Sequence, residues 1–116
     1  KKKEVNEEIY TFFGGVDRKE LKADAMAERL TLMMVNEAVH CLGEGILASA
    51  RDGDAGAILG LGFPPFRGGP FRYVDETGIA EVVEKLASFA GTHGPRFKPA
   101  PLLLKMAKTG KRFHAE

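Results

Sequence analysis

Two arginines, Arg67 and Arg72, flank a Gly-Gly-Pro turn in an unusually aromatic part of the chain, with Phe66 and Tyr73 beside them. A guanidinium group donates hydrogen bonds in a planar fork that fits a carboxylate or a phosphate, and such pairs occur at interfaces between domains. The alternative is that both arginines are solvated and cover apolar surface with their aliphatic stems. The sequence leaves both interpretations open.

The other residue types that could do chemistry lack the partners that the chemistry requires. His40 and Cys41 are neighbours on one predicted helix, so their side chains diverge, and Cys41 falls on the apolar face. A single cysteine cannot hold zinc without several other ligands. Ser49 and Ser88 are the only serines, and neither has an acid–base partner nearby in sequence. We therefore predict neither a catalytic nucleophile nor a metal site in this chain.

Two short glycine-containing segments resemble known motifs only in part. A calcium-binding loop that begins at Asp52 would need a glutamate at the position of Phe63, so we predict that Asp52 caps a short helix instead. A dinucleotide-binding motif that begins at Gly60 would need its third glycine at Pro65, after a strand that the pattern does not contain. We predict no NAD binding by this chain.

The composition limits the class of protein further. The 116 residues, 1–116, are enough for one domain, and a net charge of +1 does not predict binding to nucleic acid or to an anionic membrane. No apolar run approaches the length of a membrane span. One cysteine excludes an internal disulfide and favours a reducing compartment, the cytoplasm. The start at Lys1, Lys2 and Lys3, without methionine, predicts a solvated entry segment of a domain taken from a longer chain.

Hydrophobic periodicity predicts an all-α fold of five to six helices around one long central helix, residues 21–47. Met26, Met33 and Met34 lie on that helix and are interpreted, together with Met106, as ordinary helix core. His93 and His114 are predicted to be solvated in loops or the final segment. The remaining predicted elements are a short amphipathic helix that ends at Gly14 and Gly15, a helix from Asp52 through Leu59, an extended segment 63–66, a helix from Gly69-Pro70 to Gly78, a helix over 79–90 that Gly91 and Gly94-Pro95 stop, and a helix over 102–108 that Gly110 caps.

Three segments carry a resemblance to one family. They are VNEA at 35–38, GFPPFRGGPFRYVD at 62–75 and the pattern that runs from PRF at 95–97 to Ala107. With these segments the chain resembles the C-terminal domain of 3-hydroxyacyl-CoA dehydrogenases over nearly its whole length. It is most similar to the last repeat in the multifunctional α-subunits of fatty-acid β-oxidation complexes. The three lysines at the start resemble the basic segment that follows the first repeat in those subunits.

The resemblance implies an enzyme that oxidises the 3-hydroxyl group of an acyl-CoA with NAD, joined in the same chain to an enoyl-CoA hydratase. Family members place the catalytic His–Glu pair and the NAD site in a Rossmann domain, so this part is expected to be inactive alone. Asn36 matches a family asparagine that helps to position the substrate, but Glu37 stands where the motif has arginine, which favours a packing or capping role for Asn36. The candidate residues of the substrate cleft or interdomain surface are Asn36, Glu37, Phe63, Phe66, Arg67, Arg72 and Tyr73.

The partners that the resemblance implies are the preceding dehydrogenase domains of the same chain, the thiolase subunit of the complex and, through the parent enzyme, the acyl-CoA substrate. We expect a bacterial, cytoplasmic protein. The alternative is an interaction module without a catalytic duty, which binds the thiolase subunit or associates with itself. An apolar face left open in the separate domain would also favour a homodimer.

Overall fold

The computed structural model describes residues 4–15 and 21–114, so the prediction for Lys1, Lys2 and Lys3 lies outside the described residues. No strand occurs within those two ranges, and the predicted all-α fold is confirmed. The described residues contain five α-helices: α1 (Ala23–Gly43), α2 (Ala50–Leu61), α3 (Pro70–Thr77), α4 (Ile79–His93) and α5 (Pro101–Thr109). Three 3₁₀ helices cover Glu7–Phe13, Pro65–Arg67 and Pro95–Phe97.

Helix α1 is the central element and packs against each of the other four α-helices. Leu32, Val35 and Val39 recur at intervals of three and four residues, so they share one face, and all three are fully buried. The helix ends at Gly43 rather than at residue 47 as predicted. Gly45 adopts a left-handed conformation with φ of 76°, and the backbone N–H groups of Ile46 and Leu47 turn back to the Cys41 carbonyl.

Helix α2 begins one turn earlier than predicted because its N-cap is Ser49 and not Asp52. The backbone N–H of Asp52 donates to Ser49 Oγ at 3.1 Å, and the Ser49 hydroxyl donates to Asp52 Oδ2 at 2.7 Å. The first of these bonds is that of a capping box, but Asp52 binds the Ser49 hydroxyl where the full motif would bind the N-cap backbone N–H. Asp52 therefore supports the cap from inside the first turn.

The connection from α2 to α3 is a tight turn with glycine at three positions of positive φ. Gly62 ends α2 at φ 73°, and Gly68 and Gly69 follow the Pro65–Arg67 3₁₀ helix at φ 72° and 109°. The predicted extended segment 63–66 is wrong in its second half, because the chain turns at Pro65. The predicted start of α3 at Pro70 and its end at Gly78 are confirmed.

The last two α-helices lie close to their predicted positions. Helix α4 continues past Gly91, the first of its two predicted stops, to His93, and it ends at the second, where Gly94 takes φ of 100° before Pro95. Helix α5 runs from Pro101 to Thr109, and Gly110 caps it in the left-handed conformation, as predicted. Within the described residues, none of the helices combines the length and the apolar character needed to cross a bilayer.

One hydrophobic core joins all five α-helices and the Pro95–Phe97 segment. Only Met106 of the four methionines predicted to form core is buried; Met33 is partly buried, and Met26 and Met34 are exposed. The first predicted helix is a 3₁₀ helix over Glu7–Phe13 without a buried residue. The largest fully buried side chains are Phe63, Phe71, Phe97, Leu32, Leu86, Leu103, Val35, Val39, Val74, Val82 and Pro70.

Candidate functional site

An apolar groove of about 540 Å³ runs between α1 and α2. Two of the exposed or partly exposed methionines of α1, Met33 and Met34, form one wall, and Leu61 from the end of α2 forms the other. Gly56 of α2 also lines it, and a methyl group added there would meet nothing within 4 Å. The groove is therefore wide at this point of α2, with room for a side chain at position 56. Its remaining lining residues are Asn36, Glu37, Ala38, His40, Cys41, Leu47, Gly53, Ala57, Phe63, Pro70 and Arg96.

Asn36 lies beside this groove, but its carboxamide is occupied by the backbone. Asn36 Nδ2 donates to the Lys98 carbonyl at 2.9 Å, and Asn36 Oδ1 accepts from the Ala100 N–H at 2.9 Å. The side chain is 3% exposed, and both ends of its amide are satisfied. Asn36 therefore ties the middle of α1 to the segment that leads into α5.

The groove brings together three of the seven candidate residues, Asn36, Glu37 and Phe63. Phe63 is buried, whereas Glu37 is exposed at the rim, where Arg96 supplies a charge of the opposite sign. The other four candidates, Phe66, Arg67, Arg72 and Tyr73, do not line the groove. They form a separate group on the turn that precedes α3 and in its first turn.

In this second group, the guanidinium of Arg67 lies near two aromatic rings. Arg67 Cζ is 5.9 Å from the centroid of the Phe66 ring and 5.8 Å from that of Tyr73. At these distances the positive charge gains from the electron-rich faces of both rings. Phe66 is 85% exposed, and neither Arg67 nor Arg72 has an ion-pair partner in the part of the chain that the structure describes. The two arginines are exposed and available to an external acidic group.

Asp54 is a buried carboxylate that our sequence analysis missed. Asp54 Oδ1 accepts from the backbone N–H of Phe71 at 2.8 Å, so α2 supplies the cap that α3 lacks. Asp54 Oδ2 lies 2.8 Å from His114 Nε2. The available signal was the start of α3 at Gly69-Pro70, because glycine has no side chain to accept from the first N–H groups of a helix. The first N–H groups of α3 therefore need an acceptor from another element.

The prediction that His114 is solvated is therefore wrong, since its side chain is only 19% exposed and contacts Asp54. His93 is exposed, as predicted, although it is the last residue of α4 and not part of a loop. Within residues 4–15 and 21–114, no three His, Cys, Asp or Glu side chains converge in a way that could hold a metal ion.

In the part of the chain that the structure describes, Lys85 is the group whose pKa is clearly shifted. Lys85 Nζ on α4 lies 2.9 Å from a carboxylate oxygen of Glu81 and 2.9 Å from one of Glu28 on α1. Hydrogen bonds to Glu81 and Glu28 raise the pKa of Lys85 above its ordinary value, despite a small opposing effect of burial. The ion pair between Lys85 and Glu28 therefore connects α4 to the exposed first part of α1.

Comparisons with known proteins agree with one another. The family described as "3-hydroxyacyl-CoA dehydrogenase, C-terminal domain" matches residues 26–114. The chain is 51% identical over 114 residues to the "Fatty acid oxidation complex subunit alpha" of Shewanella amazonensis. Proteins of the same name from Vibrio vulnificus and Shewanella frigidimarina are 50% and 49% identical over the same length. Each match covers 98% of this chain but only 16% of the relative. These matches confirm the resemblance drawn from the three segments.

Proposed function

Because this chain belongs to the family of 3-hydroxyacyl-CoA dehydrogenase C-terminal domains, we propose that residues 1–116 form one helical domain of a longer fatty-acid β-oxidation enzyme. In that parent chain, NAD-dependent oxidation of a 3-hydroxyacyl-CoA and the hydration of an enoyl-CoA take place in other domains. This domain packs on the dehydrogenase module and completes it, and it is not catalytic alone. We place the parent enzyme in the bacterial cytoplasm, which the single cysteine supports.

The observation that carries this proposal is the uncovered apolar face of α1. Met26, Leu30 and Met34 are four residues apart, so they lie along one side of the helix, and all three are exposed. The stripe ends beside the groove, which Leu61 extends onto α2. A contiguous apolar surface with charged residues at its rim is typical of a docking site. Its occupant in the parent chain is a helical face of the preceding dehydrogenase domains.

NAD does not fit the residues of this chain. Gly60 and Gly62 lie at the end of α2 and not between a strand and a helix. The third position of that motif is Pro65, which has no amide hydrogen to donate to a phosphate. The nicotinamide cofactor would supply the hydride acceptor from a site in another domain of the parent enzyme.

The structure also supports a role for Asn36 that differs from that of its family counterpart. Nδ2 and Oδ1 of its carboxamide both bind backbone atoms, of Lys98 and Ala100, so the orientation of the amide is fixed by the fold. We expect Asn36 to hold the frame that carries the docking face. Substrate contact by Glu37, at the rim of the same groove, is part of the proposal.

A second candidate function is an interaction module for the thiolase subunit of the complex. The observation that favours it is the group formed by Phe66, Arg67 and Arg72, which is exposed and lies away from the groove. An exposed aromatic residue next to unpaired arginines is a combination enriched at binding hot spots. Self-association of the separate domain through the α1 stripe is the remaining alternative.

Reconstitution tests the first proposal against the second. A truncated parent that holds the NAD-binding domain and the first helical repeat is assayed for reduction of a 3-ketoacyl-CoA, by the loss of NADH absorbance, with and without this chain. We expect activity to rise when the chain is added. A truncated parent that is fully active by itself would contradict the proposal and direct attention to the thiolase subunit. Sedimentation of this chain across concentration measures self-association independently.

A further inference from the structure

We propose that residues 111–114, which follow α5, form a strap that locks the turn between α2 and α3 and thereby fixes the exposed Phe66 and Arg67 in place. If the strap is detached, the turn becomes free to move while the helical core remains folded. The proposal goes beyond the docking function of the α1 face, since it concerns a different surface and a different part of the chain.

The strap is bound first to Asp75, near the end of α3. The backbone N–H of Phe113 donates to Asp75 Oδ1 at 2.9 Å, and the backbone N–H of His114 donates to Asp75 Oδ2 at 2.8 Å. Each carboxylate oxygen therefore holds one strap amide, and hydrogen bonds to a charged acceptor are among the stronger ones in proteins. The Phe113 ring packs edge-on against Phe71, with 5.0 Å between the ring centroids.

The strap then reaches the other end of α3 through His114. His114 Nε2 lies 2.8 Å from Asp54 Oδ2, while Asp54 Oδ1 accepts from the Phe71 N–H at 2.8 Å. Asp54 is 7% exposed, so its second oxygen has little access to water. If the imidazole is removed, a nearly buried carboxylate oxygen loses its partner, which is unfavourable unless Asp54 rotates or water enters. Either movement weakens the cap on α3.

The turn before α3 depends on that cap for its position. Gly69 packs directly on the Asp54 side chain, so closely that an added methyl group would overlap the carboxylate. The preceding Pro65–Arg67 helix has no buried residue. Its two backbone hydrogen bonds, from the Arg67 N–H to the Pro64 carbonyl and from the Gly68 N–H to the Pro65 carbonyl, lie within the turn itself. The turn is anchored at its ends, by the buried Phe63 and by the Asp54 contact with Gly69 and Phe71. In its middle the contacts are made by exposed side chains, such as that of the Arg67 guanidinium with the Tyr73 ring. The strap controls the second anchor.

The consequence is a mechanical link between the strap and an exposed binding surface. A partner that displaces the strap would release Phe66 and Arg67 from their fixed positions. Conversely, a ligand that holds these two side chains in the observed arrangement would favour the bound strap, because coupling between two sites is reciprocal.

Amide hydrogen exchange of His114→Ala in the chain of 116 residues tests the strap, with His93→Ala as the control because His93 is exposed on α4. We expect amide exchange at residues 67–72 to be about tenfold faster in His114→Ala than in the unsubstituted chain, with unchanged protection in α1, α4 and α5. The His93 ring lies against Phe89 and Phe97, so the control should differ from the unsubstituted chain only around these residues and should match it at residues 67–72. Unchanged exchange at 67–72, or an equal increase in all helices, would overturn the proposal.

A second variant protects the test against a folding failure. In His114→Gln, the side-chain amide can still donate to Asp54, so we expect slower exchange at residues 67–72 than in His114→Ala. If His114→Ala is unfolded, His114→Gln is compared with the unsubstituted chain of 116 residues and with Asp75→Asn. The Asp75→Asn substitution weakens the hydrogen bonds that hold the backbone of the strap. If exchange in Asp75→Asn is faster only at residues 67–72 and in the strap, the proposed link is supported. Protection equal to that of the unsubstituted chain contradicts it.

Discussion

Asn36 Oδ1 accepts a hydrogen bond from the backbone N–H of Ala100, 64 positions later in the sequence, at 2.9 Å. The same side chain donates to the Lys98 carbonyl. Lys98 and Ala100 lie between the Pro95–Phe97 3₁₀ helix and α5, and the Asn36 carboxamide supplies the hydrogen-bond partners that a helix would otherwise provide there. The Pro95–Ala100 segment cannot satisfy these groups by regular secondary structure. Asn36 thus stabilises the irregular connection from the central helix.

Replacement of Asn36 by alanine should destabilise the protein by about 2–3 kcal/mol, because a nearly buried N–H and a carbonyl lose their partner. Glu37→Ala on the next position is the control, since this side chain is exposed and should change stability by less than about 0.5 kcal/mol. Urea denaturation followed by circular dichroism measures both. If Asn36→Ala is as stable as the unsubstituted chain, the structural role of this amide is contradicted.

Two glycines of α2 should respond to alanine in opposite directions. A methyl group at Gly53 would overlap the buried ring of Phe71 and lie 2.9 Å from Leu47 Cδ1, and we expect a loss of about 1–3 kcal/mol. At Gly56 nothing lies within 4 Å, so alanine should stabilise the helix by about 0.5–1 kcal/mol through reduced backbone entropy of the unfolded chain. Thermal unfolding of the two single variants checks the signs. A stabilised Gly53→Ala would show that α2 and α3 are not closely packed at this point.

Phe63 and Phe66 form a second matched pair within one turn. Phe63 is 2% exposed, so Phe63→Ala should cost about 3–5 kcal/mol, whereas Phe66→Ala should change stability by less than about 0.5 kcal/mol. Denaturant titration measures the difference. If Phe66→Ala retains stability but loses binding to the thiolase subunit, the second candidate function is supported. Unaltered binding argues against a role of Phe66 in that interaction.

Two leucines of α2 separate docking from folding. Leu61 lines the groove and Leu59 does not, although both are exposed. We expect Leu59→Glu and Leu61→Glu to leave the stability of this chain within about 0.5 kcal/mol of the parent value. In the reconstitution assay, Leu61→Glu should raise the concentration needed for half-maximal activity by about tenfold or more, because it places a charge in an apolar interface. An equal effect of the two variants would exclude the groove as the docking site.

Lys85 should contribute modestly and over a defined pH range. Its side chain is 35% exposed, so Lys85→Met should cost about 0.5–1 kcal/mol at low salt and less at high salt. Because the pKa of Lys85 is raised in the folded state, its contribution is fully present below the ordinary value of 10.5 and is lost as the pH rises above it. Denaturant titrations at pH 7, 9 and above 10 check this; Lys108→Met is the control because Lys108 is exposed. A Lys85 effect that is smaller at pH 7 than above pH 10 would contradict the sign.

The helices were predictable because their determinants are local. An apolar repeat predicted helix α1, and Gly78 and Gly110 ended helices where glycine was expected. The repeat placed Met26, Leu30 and Met34 on the apolar face, whereas the fully buried residues of α1 lie on the other side of the helix. Errors occurred where two local signals competed. Ser49 and Asp52 are both good capping residues, and the choice depended on which of them adopted an extended backbone; Gly91 was compatible with the continued helix α4. The family was also readable, because the segment 62–75 combines residue types that are rarely found together.

The site was less predictable, since it depends on contacts between distant residues. Met26 and Met34 follow the same periodicity as the buried residues of α1, but periodicity defines a face and does not reveal whether another element covers it. The partners of Asn36 and Asp54 lie on other elements, and a carboxamide or carboxylate near glycine and alanine has many possible partners in an unfolded chain. By itself, the sequence determined the helices and the family, because short-range geometry and a distinctive motif are encoded locally. Only the tertiary structure decided which apolar face stays open and which polar groups are paired, because both follow from packing between helices that are far apart in sequence.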